Sequence, residues 1–240
     1  MPIHTLKDGA EAFQVTRLEA ELPARVVLFA VGGGGDPERH LPLLTALAAR
    51  GCTVVAPHFE RFTSPRPSEQ QLLTRARRLR IALDSVARDD LPVAGVGHSI
   101  GTTLLLALSG GHVWMRPEGP LPMATEPRLE RLALLAPATL FFQAPGGLDA
   151  VRTEVQAWAA TQDPITPLAQ AEWLQRELSR RVPMQLRICE GAGHFSFMHA
   201  PPPQSTEPLP DRDAFLSQLT AEVCAYVTAP QARATPSSGG

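Results

Sequence analysis

The 240 residues carry 22 basic and 24 acidic side chains, with 44% apolar and only 5% aromatic residues. That is a globular composition, long enough to bury a sizeable core in one large domain or two small ones. The net charge of −2 gives no global field toward nucleic acid or an anionic membrane, and no apolar run reaches the ~18 residues of a membrane span.

Met1 to Ala20 mixes Lys7, Asp8, Glu11 and Arg17 and has no apolar h-region, so it does not read as a signal peptide. The three cysteines, Cys52, Cys189 and Cys224, are odd in number and lack metal-ligand spacing. Each lies in an apolar run, which predicts buried thiols in a reducing, cytoplasmic compartment.

Along the chain, Arg25 to Val31 is an apolar, β-branched run that ends in Gly32–Gly35, a buried strand followed by a tight loop. Asp36-Pro37 is an N-cap with proline at the first helical position, and Gly51 closes that helix. Cys52 to Ala56 is a second buried strand, stopped by Pro57. Ser68 caps a longer helix whose Leu72, Ala76, Leu79, Leu83 and Val86 form one stripe. Arg75, Arg77, Arg78 and Arg80 are read as lying mainly off that stripe, on a solvated face.

Pro92 to Gly97 is a third strand and leads into a helix from Ile100 to about Leu108. Strands follow at Leu129 to Ala136, Glu154 to Ala160 and Met184 to Cys189, with helices at Pro167 to Val182 and Asp211 to Val227. The Pro, Ala and Ser content after Thr228 predicts a disordered tail over 229–240 behind one domain over 1–228.

Strands separated by helices imply an α/β architecture: a mostly parallel sheet with helices on both faces. Ligands then bind beyond the carboxyl ends of the strands. The loops 32–36, 57–67, 98–100, 137–150, 161–166 and 190–210 belong to that edge. The loop 111–128 follows a helix and is expected on the opposite edge, with Trp114 and Met115 in a structural excursion.

Gly97-His98-Ser99-Ile100-Gly101 fits G-x-S-x-G between a strand and a helix. A Ser on such a turn has a strained backbone, and the flanking glycines let strand and helix pack closely. Ser99 is therefore the expected nucleophile. It needs a base from another loop of the same edge. His194, in Gly191-Ala192-Gly193-His194-Phe195, follows the last strand; His58 and His199 compete but read as surface or pocket-wall residues. A carboxylate must fix the imidazole tautomer. Asp163, in the loop after the Glu154–Ala160 strand, is the candidate, with Asp149 and Glu154 as alternatives. The oxyanion needs two N–H donors: Ile100 supplies one, and the other comes from among Gly32 to Gly35. That glycine run lacks the Lys-Ser/Thr pair of a P-loop.

By motif order and strand spacing the chain resembles a small α/β-hydrolase over roughly residues 22 to 228. The order Ser99, Asp163, His194 matches that superfamily. The resemblance implies a Ser99–His194–Asp163 triad, an oxyanion hole from Gly33 and Ile100, and no metal or cofactor. Gly193-His194-Phe195-Ser196-Phe197 and Val55-Ala56-Pro57 are similar to the dienelactone-hydrolase-like branch. Three positions depart from the pattern. Val31-Gly32 stands where many relatives have His-Gly and removes a polar support from the glycine loop. Thr102 replaces a usual Gly or Ala. Ser99 replaces the cysteine of true dienelactone hydrolases and shifts the expectation to general ester hydrolysis.

Only Thr139 to Ala150 follow the fourth of these strands, too short for a lid domain, so an open pocket for a small or medium carboxylic ester is expected. Neither nucleic acid nor membrane is an expected partner. Phe59, Phe62, Phe141, Phe142, Phe195 and Phe197 all fall in loops of the catalytic edge and are expected to line an apolar pocket. An acyltransferase or perhydrolase would use the same triad, and a non-catalytic binding protein could use the same fold.

Overall fold

The computed structural model describes residues 3–64 and 66–230. Most of the predicted tail, 231–240, lies outside these residues.

Eight strands form one sheet among the described residues: β1 (Ile3–Asp8), β2 (Glu11–Leu18), β3 (Arg25–Ala30), β4 (Cys52–Pro57), β5 (Val93–His98), β6 (Leu129–Leu135), β7 (Glu154–Ala160) and β8 (Met184–Cys189). Their spatial order is β1-β2-β4-β3-β5-β6-β7-β8. Strands β4 to β8 with β3 are parallel, while β1 and β2 run antiparallel to their neighbours. The crossovers are α1 (Leu41–Ala48), α2 (Glu69–Asp84), α3 (Ile100–Leu108) and α4 (Leu168–Leu178), and α5 (Arg212–Thr228) follows β8.

Every residue of β3, β4 and β5 is buried, as parallel strands covered on both faces must be. Side chains alternate between two cores. Val26, Leu28 and Val55 join Leu72 and Leu79 of α2 and Leu104 of α3 on one face. Val27, Phe29 and Val54 join Leu44 of α1 and Val223 of α5 on the other. Each fully buried Val, Leu or Phe contributes about 1.5–3 kcal/mol.

The six predicted strands are β3 to β8, and the five predicted helices are present. The hairpin β1–β2 was not anticipated. Its Asp8-Gly9-Ala10-Glu11 turn has Gly9 at φ +63 in the first central position, the arrangement of a type II′ turn. The Asp8-Gly9 pair and the Phe13-Gln14-Val15 alternation were the signals available for it. Arg77 and Arg78 of α2 bind Asp8, and Arg78 also reaches Glu11. Arg80 lies 3.8 Å from Glu126. The arginine row is thus largely neutralised by carboxylates.

The helix expected from Asp36 begins instead with a 3-10 turn, Pro37–His40, before α1. Pro42 has no N–H for the Glu38 carbonyl, so α-type bonding cannot run through the first turn. Asp36 does cap the turn, accepting from the Glu38 N–H at 2.9 Å. Ser68 caps α2 with Gln71 in a capping box. Cys52 and Cys224 are buried, but Cys189 is only half-buried. It ends β8, an edge strand that is largely open to solvent.

Candidate active site

The sheet delivers its functional groups at one edge because β3, β5, β7 and β8 all end there. Between β3 and β5 the chain's connections diverge, β3 to one side and β5 to the other, which leaves a crevice at that switch point.

Ser99 sits at the β5–α3 junction with φ 55 and ψ −128, a conformation that strains any side-chain-bearing residue. The Ser99 N–H donates to the Leu135 carbonyl (3.0 Å), which anchors the turn to β6. A Cβ at Gly101 would stand 2.0 Å from the Ala30 carbonyl oxygen, and one at Gly97 would stand 2.8 Å from Leu105 Cδ1. Glycine at both positions lets α3 press onto β3 and β5. Gly101→Ala is expected to cost about 3 kcal/mol of stability, the scale of overpacking a tight core. The urea unfolding midpoint measures this.

His194 opens a 3-10 turn, His194–Phe197, after β8. Its Nε2 lies 3.0 Å from Ser99 Oγ, and its Nδ1 lies 2.7 Å from Asp163 Oδ2. Asp163 is an acceptor, so Nδ1 donates and Nε2 is left to accept the serine proton. The turn is tied down from behind. The Gly193 N–H donates to Ser196 Oγ (2.8 Å), and Ser196 donates to Glu207 (2.5 Å).

Asp163 follows β7 and is buried. Its Oδ1 accepts the N–H groups of Ile165 (2.7 Å) and Thr166 (2.8 Å), and its Oδ2 accepts Thr166 Oγ1 (2.7 Å). Burial raises its pKa, but the His194 and Thr166 hydrogen bonds outweigh this and hold the carboxyl below its ordinary range. Asp163 is therefore ionised at neutral pH.

Beneath His194 lies His98, fully buried, with Nε2 3.0 Å from the His194 carbonyl and ring centroids 4.9 Å apart. Burial, reinforced by His194 and His40, holds its pKa well below the normal value. His98 is therefore neutral, donates from Nε2 and props the His194 backbone.

A cavity of about 1000 Å³ opens over this group. Gly32 to Gly35, Ser99, Ile100 and His194 line it. A Cβ built on Gly32 would lie 3.4 Å from Ser99 Cβ, which places the glycine loop against the serine. The alternatives lie elsewhere. His58 bonds Thr16 Oγ1 (2.7 Å), His199 is outside the cavity lining, Asp149 pairs with Arg181, and Glu154 begins β7 at the far edge.

Phe62, Phe141 and Phe195 line the cavity, whereas Phe59, Phe142 and Phe197 do not. Consecutive side chains on a 3-10 turn point about a third of a turn apart. In Leu140–Phe142, Phe141 therefore faces the cavity and Phe142 enters the core. In His194–Phe197, Phe195 faces the cavity and Phe197 packs on Phe215 of α5. Phe59 packs beneath the glycine loop, its backbone N–H bonding the Gly35 carbonyl (2.8 Å).

Two further expectations fail. The 111–128 segment does not stay on the opposite edge: Trp114 and Met115 form part of the cavity wall, and the Trp114 N–H bonds the Phe141 carbonyl (2.8 Å). Lacking regular structure, this segment climbs the face of the molecule beside the post-β6 loop. Arg75 is also not solvated. It is buried on the α2 stripe and donates to backbone carbonyls of the glycine loop. Its position three residues after Leu72 and four before Leu79 was the available signal.

Neither a family model nor a curated sequence matches the chain. Solved structures do match it. Thermogutta terrifontis esterase 2 with butyrate bound superposes at TM-score 0.66 and 13% identity, covering 94% of this chain and 92% of that one. The same esterase phosphoramylated by tabun gives 0.64 and 15%, with coverage of 94% and 92%. Agrobacterium tumefaciens ATU1826, of unknown function and provisionally assigned to the alpha/beta hydrolases, gives 0.63 and 15%, covering 94% and 96%. The chain has the α/β-hydrolase fold. Ser99, Asp163 and His194 stand on the turn after β5, the loop after β7 and the loop after β8. Among the described residues, 3-10 turns and irregular segments, including 111–128 and Leu140–Phe142, cover this sheet edge.

Proposed function

We propose that this protein is a serine carboxylesterase acting on small or medium carboxylic esters. The observation that carries this reading is the continuous chain Ser99 Oγ to His194 to Asp163, at 3.0 and 2.7 Å, at the base of an open cavity.

Ser99 attacks the ester carbonyl while His194 Nε2 takes its proton. The N–H groups of Ile100 and Gly33 hold the oxyanion, each worth roughly 3 kcal/mol in the transition state. His194 then protonates the leaving alcohol. Water repeats the sequence on the acyl-enzyme and releases the acid. No step in this sequence calls for a metal or cofactor. A nearby fold relative, the Thermogutta terrifontis esterase, is phosphoramylated by tabun, as expected of an enzyme with an activated nucleophile. The three free thiols suit a cytoplasmic setting, and among the described residues no helix is long and apolar enough to cross a membrane.

The test is a panel of p-nitrophenyl esters of increasing acyl length, run with Ser99→Ala as control. Turnover of some member by wild type alone supports the reading. Equal rates for both proteins across the panel overturn it. Trp114 and Phe141 wall the cavity, and their truncation to alanine should shift the preference toward longer chains by about tenfold in kcat/KM ratio. An unchanged profile would remove both from substrate contact.

A further inference from the structure

We propose that Arg75 is a positioning residue that aims the second oxyanion donor, the Gly33 N–H, toward the reacting carbonyl. This rests on the esterase reading of the site.

Arg75 is only 3% exposed, and among the described residues no carboxylate pairs with it. A buried cation without an anion is costly unless its donors are satisfied. Here the donors go to backbone. Nη1 donates to the Gly32 carbonyl (3.0 Å), and Nη2 donates to the carbonyls of Glu60 (2.6 Å) and Gly33 (3.4 Å). The guanidinium lies 3.8 Å from the Phe62 ring centroid and 4.8 Å from that of Phe59. Burial lowers its pKa to about 10, which leaves it charged at neutral pH. A leucine would complete the α2 stripe without this desolvation. The arginine therefore answers a need of the loop rather than of the core.

That need follows from the loop's composition. Four successive glycines have wide conformational freedom, and an oxyanion donor must be fixed before the reaction begins. A trans peptide holds its C=O and N–H antiparallel, and the described chain has no cis bonds. The Gly32 carbonyl accepts Arg75 and, within the loop, the Gly35 N–H (3.1 Å), and holding it toward Arg75 turns the Gly33 N–H away from α2. Gly32 abuts Ser99 Cβ and Gly33 lines the cavity, so the opposite side is the substrate side. The Gly33 carbonyl is held in turn by Arg75 and by the Phe62 N–H (2.9 Å). The guanidinium charge on the Gly32 carbonyl also polarises that peptide and strengthens its N–H as a donor.

The experiment compares wild type, Arg75→Met and Arg75→Lys on a short p-nitrophenyl ester. It reads kcat and KM separately, the rate of inactivation by a fluorophosphonate, and the unfolding midpoint. Arg75→Met should lose about a hundredfold in kcat, the scale of one oxyanion donor, with KM within about twofold. Fluorophosphonate inactivation should slow by a similar factor, because its phosphoryl oxygen enters the same hole. Arg75→Lys should recover about tenfold, since one ammonium can reach one of the carbonyls. A loss confined to KM, or kcat within twofold of wild type in both variants, overturns the inference. If Arg75→Met does not fold, the kcat and KM of Arg75→Lys decide by the same split. A wild-type protein with neither turnover nor labelling overturns the esterase reading and this inference together. An active wild type matched by its variants overturns the inference alone.

Discussion

Ser99→Ala should lower kcat on the best ester of the panel by about 10⁶-fold and abolish fluorophosphonate labelling. In the proposed mechanism the serine hydroxyl, 3.0 Å from His194 Nε2, is the group that attacks the ester carbon. Its loss leaves water as the nucleophile, with the oxyanion donors and the cavity intact. Residual catalysis of about 10³-fold over the uncatalysed reaction is the expected remainder. His194→Ala should cost about as much, and the two changes combined little more, because the groups act as a unit. Folding should be untouched by Ser99→Ala. The strain at φ 55 is imposed by Gly97, Gly101 and the Leu135 carbonyl, not by the hydroxyl. A labelled Ser99→Ala protein, or one that keeps wild-type turnover, would remove Ser99 from the chemistry and reopen the choice of nucleophile.

The parallel part of the sheet was legible because buried strands are short apolar runs bounded by Gly and Pro, as at Cys52–Pro57. The β1–β2 hairpin was also marked, by Asp8-Gly9 and the buried alternates Phe13 and Val15, but weakly, because β1 at the sheet edge is mostly exposed and carries no apolar run. The positions of Ser99 and His194 were legible for a different reason. Small residues must flank them for backbone to approach backbone, and glycine is visible in a sequence. The cavity wall was less legible. Trp114 reaches it through an irregular segment held by backbone bonds, and irregular paths leave no periodicity.

Arg75 marks the limit most clearly. Its place on the α2 stripe was readable from Leu72 and Leu79, yet its partners are carbonyls of Gly32, Gly33 and Glu60, which no side-chain pattern announces. The polar support that Val31 does not give to the glycine loop comes from α2 instead. The aromatic residues divide in a similar way. Loop membership placed six Phe at this sheet edge, but for four of them the pitch of two 3-10 turns decided which faced the cavity.

Asp163→Asn should reduce kcat by about 10⁴-fold while leaving KM and the unfolding midpoint nearly unchanged. The isosteric amide keeps an oxygen for the Ile165 and Thr166 N–H groups, which bond Oδ1 at 2.7 and 2.8 Å. That places the amide NH₂ at the Oδ2 position, 2.7 Å from His194 Nδ1. Two donors cannot face each other there. The imidazole proton moves to Nε2, and the nitrogen beside Ser99 can no longer accept a proton. Lost catalysis therefore follows from the tautomer, not from misplacement of the ring. Raising the pH discriminates between the two causes. The wrong tautomer permits slow attack by serine ionised in the bulk base, so kcat of Asp163→Asn should climb through alkaline pH while wild type stays level. A variant with a fully level profile, or one within tenfold of wild type at neutral pH, would show that Asp163 does not set the tautomer of His194.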